Sequence, residues 1–162
     1  MTEMVTGLLI KEGEQFYTDL KEVLGSLGDG YKDYNWLITD YECYPTSIEN
    51  KELFSGSSVV ISGDKLMSIL EEDNFQWVWG VFSAINKDYD ESEIISKEIP
   101  YADGNSSIWS NPITIQHPMA DIEIIAWDSS ATVVIAKDDE LIRRIKDIKP
   151  EAIGLEEYNG SN

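Results

Sequence analysis

His117 is the only imidazole in the chain and Cys43 the only thiol, so nucleophilic catalysis of the usual kind would have to run through one of them. Neither stands in a context that activates it. His117 lies between Gln116 and Pro118 at the end of a strand candidate over 113–116, and no nucleophile-elbow sequence accompanies it. An ordinary loop or strand-end histidine is expected. Cys43 falls in an aromatic stretch beside Tyr41 and Tyr44 with no basic neighbour to lower its pKa, which predicts burial as a small apolar residue. One Cys and one His cannot fill a structural zinc site. The run Asp88-Tyr89-Asp90-Glu91-Ser92 opens like a calcium loop, but Glu93 stands where glycine is required and Ile99 where the closing Glu belongs. With two arginines, no Gly-rich phosphate loop and no dinucleotide fingerprint, the residue set predicts no catalytic residues, no metal and no cofactor.

What remains is carboxylate. The 162 residues carry 31 Asp and Glu against 12 Lys and Arg, a formal charge of −19. A carboxylate pair of the glycosidase kind is one use for such acids, but with so many, some pair reaches the right separation by chance. Five tryptophans, Trp36, Trp77, Trp79, Trp109 and Trp127, are the residue type that lines sugar grooves. They fall mostly inside strand patterns, so packing in a core is the first expectation. The acids are more informative. Asp88, Asp90, Glu91, Glu93 and Glu98 crowd one short segment against Lys87 and Lys97, with Asp103 close behind, and Tyr89, Tyr101 and Trp109 are interleaved with them. A solvated surface that keeps the protein soluble explains the acids alone. Carboxylates that mimic a polyanion toward a cationic cleft explain acids and aromatics together, because Tyr and Trp anchor interfaces and complementary charge speeds encounter.

Composition bounds the rest. The chain is long enough for one domain of ~100–200 residues, and 42% hydrophobic residues exclude a disordered acidic tail. No run approaches the ~18 apolar residues of a membrane span, and the start, Met-Thr-Glu-Met-Val-Thr, lacks a basic signal-peptide region, so a cytoplasmic protein is expected. Residues 1–136 hold 24 acids and 7 bases, whereas 137–162 hold 7 and 5. Direct binding of nucleic acid or anionic lipid is disfavoured, because the electrostatic contribution would be repulsive.

The elements that must position these residues follow from periodicity. Residues 12–27 place Phe16, Leu20, Val23, Leu24 and Leu27 on one helix face. Strands are predicted over 5–10, 34–44 (stopped by Pro45) and 58–61, after which Ser62 caps a short helix bearing Leu66, Met67 and Leu70. In 75–81 the alternation puts Phe75, Trp77, Trp79 and Val81 on one face. Residues 86–111 read as a long loop with one short strand. A hairpin joins 122–127 to 131–136 through Asp128-Ser129-Ser130. A final helix follows, with Asp138, Asp139 and Glu140 at its start, Arg143, Arg144, Lys146 and Lys149 further on, Leu141, Ile142, Ile145 and Ile148 as its stripe, and Pro150 as its stop. Helix stabilisation accounts for that basic cluster, with self-association or docking as the alternative. Residues 151–162 read as a mobile tail. The sum is a single α+β domain: an antiparallel or mixed sheet of about five to seven strands, with two long helices and one short one in a single layer on it.

In type the chain resembles the immunity proteins of bacterial toxin and contact-dependent growth inhibition systems, which are small, acidic, cytosolic and α+β and lack catalytic residues. Its ending, Asp121-Ile-Glu-Ile-Ile-Ala-Trp-Asp-Ser-Ser followed by a strand, a charged helix and Glu156-Glu157-Tyr158, also resembles that of small bacterial proteins without a described activity. The first resemblance implies a one-to-one complex with a cognate toxin whose active site is blocked or overlaid. The expectation is therefore a non-enzymatic inhibitor of a basic toxin domain, a nuclease by charge, with Asp88, Tyr89, Asp90, Glu91, Glu93, Tyr101, Asp103 and Trp109 binding the partner. A DNA-mimic regulator of a nucleic-acid-binding protein is the alternative, and a small carboxylate hydrolase stands behind it.

Overall fold

The computed structural model describes residues 4–11 and 18–161. The chain runs β1 (Thr6–Ile10), α1 (Leu20–Ser26), β2 (Tyr34–Cys43), α2 (Ile48–Leu53), β3 (Ser58–Ser62), α3 (Gly63–Glu72), β4 (Trp77–Asn86), α4 (Glu91–Ile95), β5 (Ala120–Trp127), β6 (Ala131–Ala136), α5 (Asp139–Ile148), β7 (Ile153–Gly154) and α6 (Leu155–Gly160). The strands form one open antiparallel sheet in the order β3-β2-β4-β5-β6-β1-β7. It is an α+β fold, as the periodicity predicts. The helix expected over 12–27 is α1 in its second half; residues 12–17, with Phe16, lie outside the described residues.

Local chemistry sets the helix ends. The side chains of Asp19, Ser62 and Asp138 accept from the amides of Glu22, Lys65 and Glu140, each satisfying a donor that the first helical turn leaves open. The three longer helices, α1, α3 and α5, bury Leu20, Val23, Leu24, Leu66, Leu70, Ile142 and Ile145 against one face of the sheet, together with Trp36, Phe82 and Ile124. Ile148, expected in the α5 stripe, is instead exposed. The basic residues of α5 serve the fold. Arg143 pairs with Asp139, Arg144 donates to the carbonyl of Leu27, Lys146 reaches the carbonyls of Pro150 and Ala152, and Lys149 pairs with Glu22 at 2.8 Å.

The other face is covered by residues 87–119 and α6, around Leu9, Val81, Ile108, Ile113, Val133 and Leu155, with a smaller group of Leu37, Ile85, Ile94 and Ala120. Four sequence expectations change here. Trp77 and Trp79 do not share a face: Thr39 pairs with Val81, Glu42 with Trp79 and Cys43 with Trp77, so β2 carries an extra residue near Asp40 and β4 one at Val78. A bulge inverts alternation. Trp77 therefore packs under the helices and Trp79 on the opposite face. In place of a short strand, 86–111 contains α4 and a 3₁₀ turn at Ser106–Trp109. Residues 113–116 form no strand, because β4 and β6 already occupy both edges of β5. The tail predicted over 151–162 supplies β7 and α6, with Leu155 fully buried against the sheet.

Candidate interaction surface

The covering segment is pinned by side-chain hydrogen bonds to its main chain, some buried and some at the surface. Where it passes β2, the Thr39 hydroxyl donates to the Pro100 carbonyl at 2.8 Å, and Asp40 Oδ2 accepts from the amides of Ala102 and Asp103 at 2.8 and 3.0 Å. Asp40 can do this because the bulge turns its backbone to φ 47°. Further along, the Asn105 side chain takes the Ser107 amide and returns a donor to the Tyr101 carbonyl. Asn159 of α6 donates to the Ile108 carbonyl. The return stretch then passes back over β5. Gln116 clasps Tyr101 in both directions, accepting from its amide at 2.9 Å and donating to its carbonyl at 3.1 Å. His117, 1% exposed, uses Nε2 on the Ile94 carbonyl and Nδ1 on the Met119 amide. Both ring nitrogens of the strand-end histidine are thus committed to holding two parts of this cover together. Cys43 is half-buried, and burial pushes its thiol up to about 12, far from a nucleophile at neutral pH.

Fixed from below, the segment turns its charged side chains outward. Asp88, Asp90, Glu91, Glu93 and Glu98 are all exposed, and none of their carboxylates forms an ion pair or accepts a hydrogen bond among the described residues. Tyr89, Ile95, Ile99 and Tyr101, on the same segment, are each more than 40% exposed. Large apolar side chains between unpaired carboxylates form a surface with anchors and a charged rim, the anatomy of a protein interface. Asp103 is exposed beside Tyr101.

Trp109 stands apart from this group. It is half-buried at the end of the 3₁₀ turn and stacks edge-on with Trp127 and Tyr158 at 5.1 and 5.8 Å, while Trp79 completes the set against Trp127. Trp127 ends β5, whereas Asp88 and Tyr89 share a groove with Asp121 near its start. The six steps of strand from Asp121 to Trp127 put those two places roughly 20 Å apart. Trp36 and Trp77 are fully buried.

Sequence reading missed a second acidic place at the β5 start. A cleft of about 420 Å³ is lined by Asp33, Tyr34, Asp121, Lys137, Asp138 and Arg144 over a floor that includes Ile122 and Leu141. Tyr34 donates to Asp121 Oδ2 at 3.2 Å, and Asp121 also pairs with Lys137 at 3.5 Å. Burial, then Asp121, then Asp33 and Asp138 push the Tyr34 phenol up to about 12. Three carboxylates therefore act on one hydroxyl in a concave wall that also carries Lys137 and Arg144. Asp121 and Lys137 also line the adjoining groove with Asp88 and Tyr89, so the two acidic places are continuous. These residues come from the β2, β5 and β6 ends, too distant in sequence to read as a motif.

The chain matches no protein-family model, no curated protein and no solved structure. Among the described residues no group of three His, Cys, Asp or Glu side chains is arranged to hold a metal ion, and no helix is long and apolar enough to cross a membrane.

The remaining buried acid was also missed. Glu123 is fully buried in β5, accepts the Gln116 amide at Oε2 (2.8 Å), and has no partner at Oε1; burial raises its carboxyl to about 7. The signal was available as an acid between Ile122 and Ile124 in a strand apolar on both faces. Glu123 lines neither of the two clefts described above.

Proposed function

We propose that the protein is a non-enzymatic immunity-type inhibitor, acting in the cytoplasm, which binds a cognate basic toxin domain of nuclease type through the outward side of residues 88–103. The observation that carries this reading is the pairing of unpartnered carboxylates at Asp88, Asp90, Glu91 and Glu93 with the exposed Tyr89 and Tyr101 on a segment clamped from beneath. A surface already held in place loses little conformational entropy on docking. Its charge steers a cationic partner, and its aromatic and aliphatic groups supply the apolar contact. The adjoining cleft, which carries Asp33, Asp121 and Asp138 beside Lys137 and Arg144, shares Asp121 and Lys137 with the groove of Asp88 and Tyr89.

The test combines survival and kinetics. Cells producing a basic nuclease domain encoded next to this chain should grow when the chain is co-produced. Association of the purified pair should be slowed about tenfold or more at low salt by Asp90→Lys with Glu91→Lys and Glu93→Lys, and the salt dependence of the rate should flatten. Unchanged association in that triple variant would remove the segment from the interface. Failure of the chain to protect cells from any neighbouring toxin would remove the reading.

A further inference from the structure

Glu123 sits in a cross-strand row with Leu37, Ser83, Ile135 and Gly7 on the face that the 87–119 segment covers. Within that apolar row Ser83 and Glu123 are direct neighbours. Both are wholly buried, and among the described residues both Ser83 Oγ and Glu123 Oε1 lack a hydrogen-bond partner. Among the described residues no charged side chain offsets a charge on Glu123. From β4 it meets Ser83, from β6 Ile135, and from the cover the Gln116 amide. The titratable groups of the surrounding elements are engaged or outward: His117 on Ile94 and Met119, Asp40 on the Ala102 and Asp103 amides, and Glu98 and Asp103 in solvent. A carboxylic acid suits this place, since its carbonyl accepts from Gln116 and its hydroxyl faces an apolar row with one neutral serine. A carboxylate does not, since a buried charge with one hydrogen bond is costly until water reaches it.

Water reaches Glu123 only if the cover lifts, and the group that holds Glu123 also holds the cover. Gln116 bonds to Glu123 through its main chain and to both main-chain groups of Tyr101 through its side chain. We propose that Ser83, Glu123, Gln116 and Tyr101 form a proton-controlled latch: with Glu123 neutral the 100–117 stretch lies closed on the sheet, and with Glu123 ionised it opens to admit water. As a control on partner capture the latch rests on the binding reading above, because Tyr101 and Asp103 lie on the stretch it governs. As a property of the free protein it does not.

The closing experiment therefore uses the free protein. Hydrogen exchange of the 100–117 amides, corrected for the intrinsic pH dependence of exchange, should report roughly fifty-fold more opening at pH 8 than at pH 5. Glu123→Gln, which keeps the acceptor for Gln116 and cannot ionise, should bring that ratio close to one. An equal pH dependence in wild type and variant, or a flat wild type, overturns the latch. Should the variant fail to fold, carbon NMR of the wild-type Glu123 carboxyl decides. Its midpoint should lie well above the ordinary carboxylate range, and the Gln116 and Tyr101 amide shifts should follow the same midpoint. Amides that ignore that titration overturn the proposal. Loss of toxin protection with the latch intact counts against the function alone.

Discussion

A carboxyl sealed inside a sheet with no cation beside it makes stability depend on pH in a fixed direction. For Glu123 the folded chain holds its proton up to about pH 7, while the unfolded chain releases it near the ordinary value of 4.5. Below that lower value the two states bind the proton alike. Between the two only the folded state keeps it, so stability falls as pH rises and levels off above 7, by about 3 kcal/mol in all. Urea unfolding at pH 5 and pH 8 should record that loss for the wild type. Glu123→Gln should remove most of it, leaving the variant the more stable protein at pH 8. The other reactive side chains have been turned to structural use. Cys43, with its thiol raised to about 12, should react with a disulfide reagent at pH 8 far more slowly than a free thiol, and denaturant should abolish the difference.

Elements with strong local signals match their sequence reading, and those placed by distant contacts do not. The hairpin of β5 and β6 follows from two apolar runs joined by the three-residue loop Asp128-Ser129-Ser130, in which Asp128 and Ser129 take φ 49° and 54°. Helix α3 follows from Ser62 and the Leu66, Met67, Leu70 spacing. What no periodicity conveys is how closely α3 starts against the 3₁₀ turn at Gly28–Asp33, remote in sequence. A Cβ on Gly63 would stand 1.9 Å from the Tyr31 carbonyl oxygen, a backbone atom that cannot swing aside. Gly63→Ala should therefore destabilise by roughly 2 kcal/mol or more, whereas Ser62→Ala, which removes only the cap, should cost about 1 kcal/mol. Thermal unfolding of the two variants distinguishes a steric fault from a lost hydrogen bond. The bulge at Val78 had no sequence signal, because Phe75-Gln76-Trp77-Val78-Trp79 alternates cleanly. The extra residue becomes apparent only when Cys43 and Glu42 take their places opposite.

At the scale of the whole molecule, a charge of −19 repels itself. Raising salt from 20 to 500 mM should increase the melting temperature of the free protein while slowing its capture of a basic partner, since screening weakens both the internal repulsion and the steering. Calorimetry and stopped-flow mixing over one salt series would check the opposed trends. The sequence by itself determined the α+β class, most of the strands, the Ser62 cap of α3, the charge pattern of α5 with its Pro150 stop, and the acidity of the 88–103 segment. Each is a matter of composition or of neighbours within a few residues. Only the tertiary structure decided that 151–160 supplies an edge strand and a covering helix, and that Trp109 joins an aromatic cluster far from Asp88. Asp33, Asp121 and Asp138 likewise converge on Tyr34, and Glu123 lies under the surface whose strap it holds, through contacts between strands and loops remote along the chain. Pairing of that kind is set by sheet register and bulges, which residue spacing along one strand does not encode.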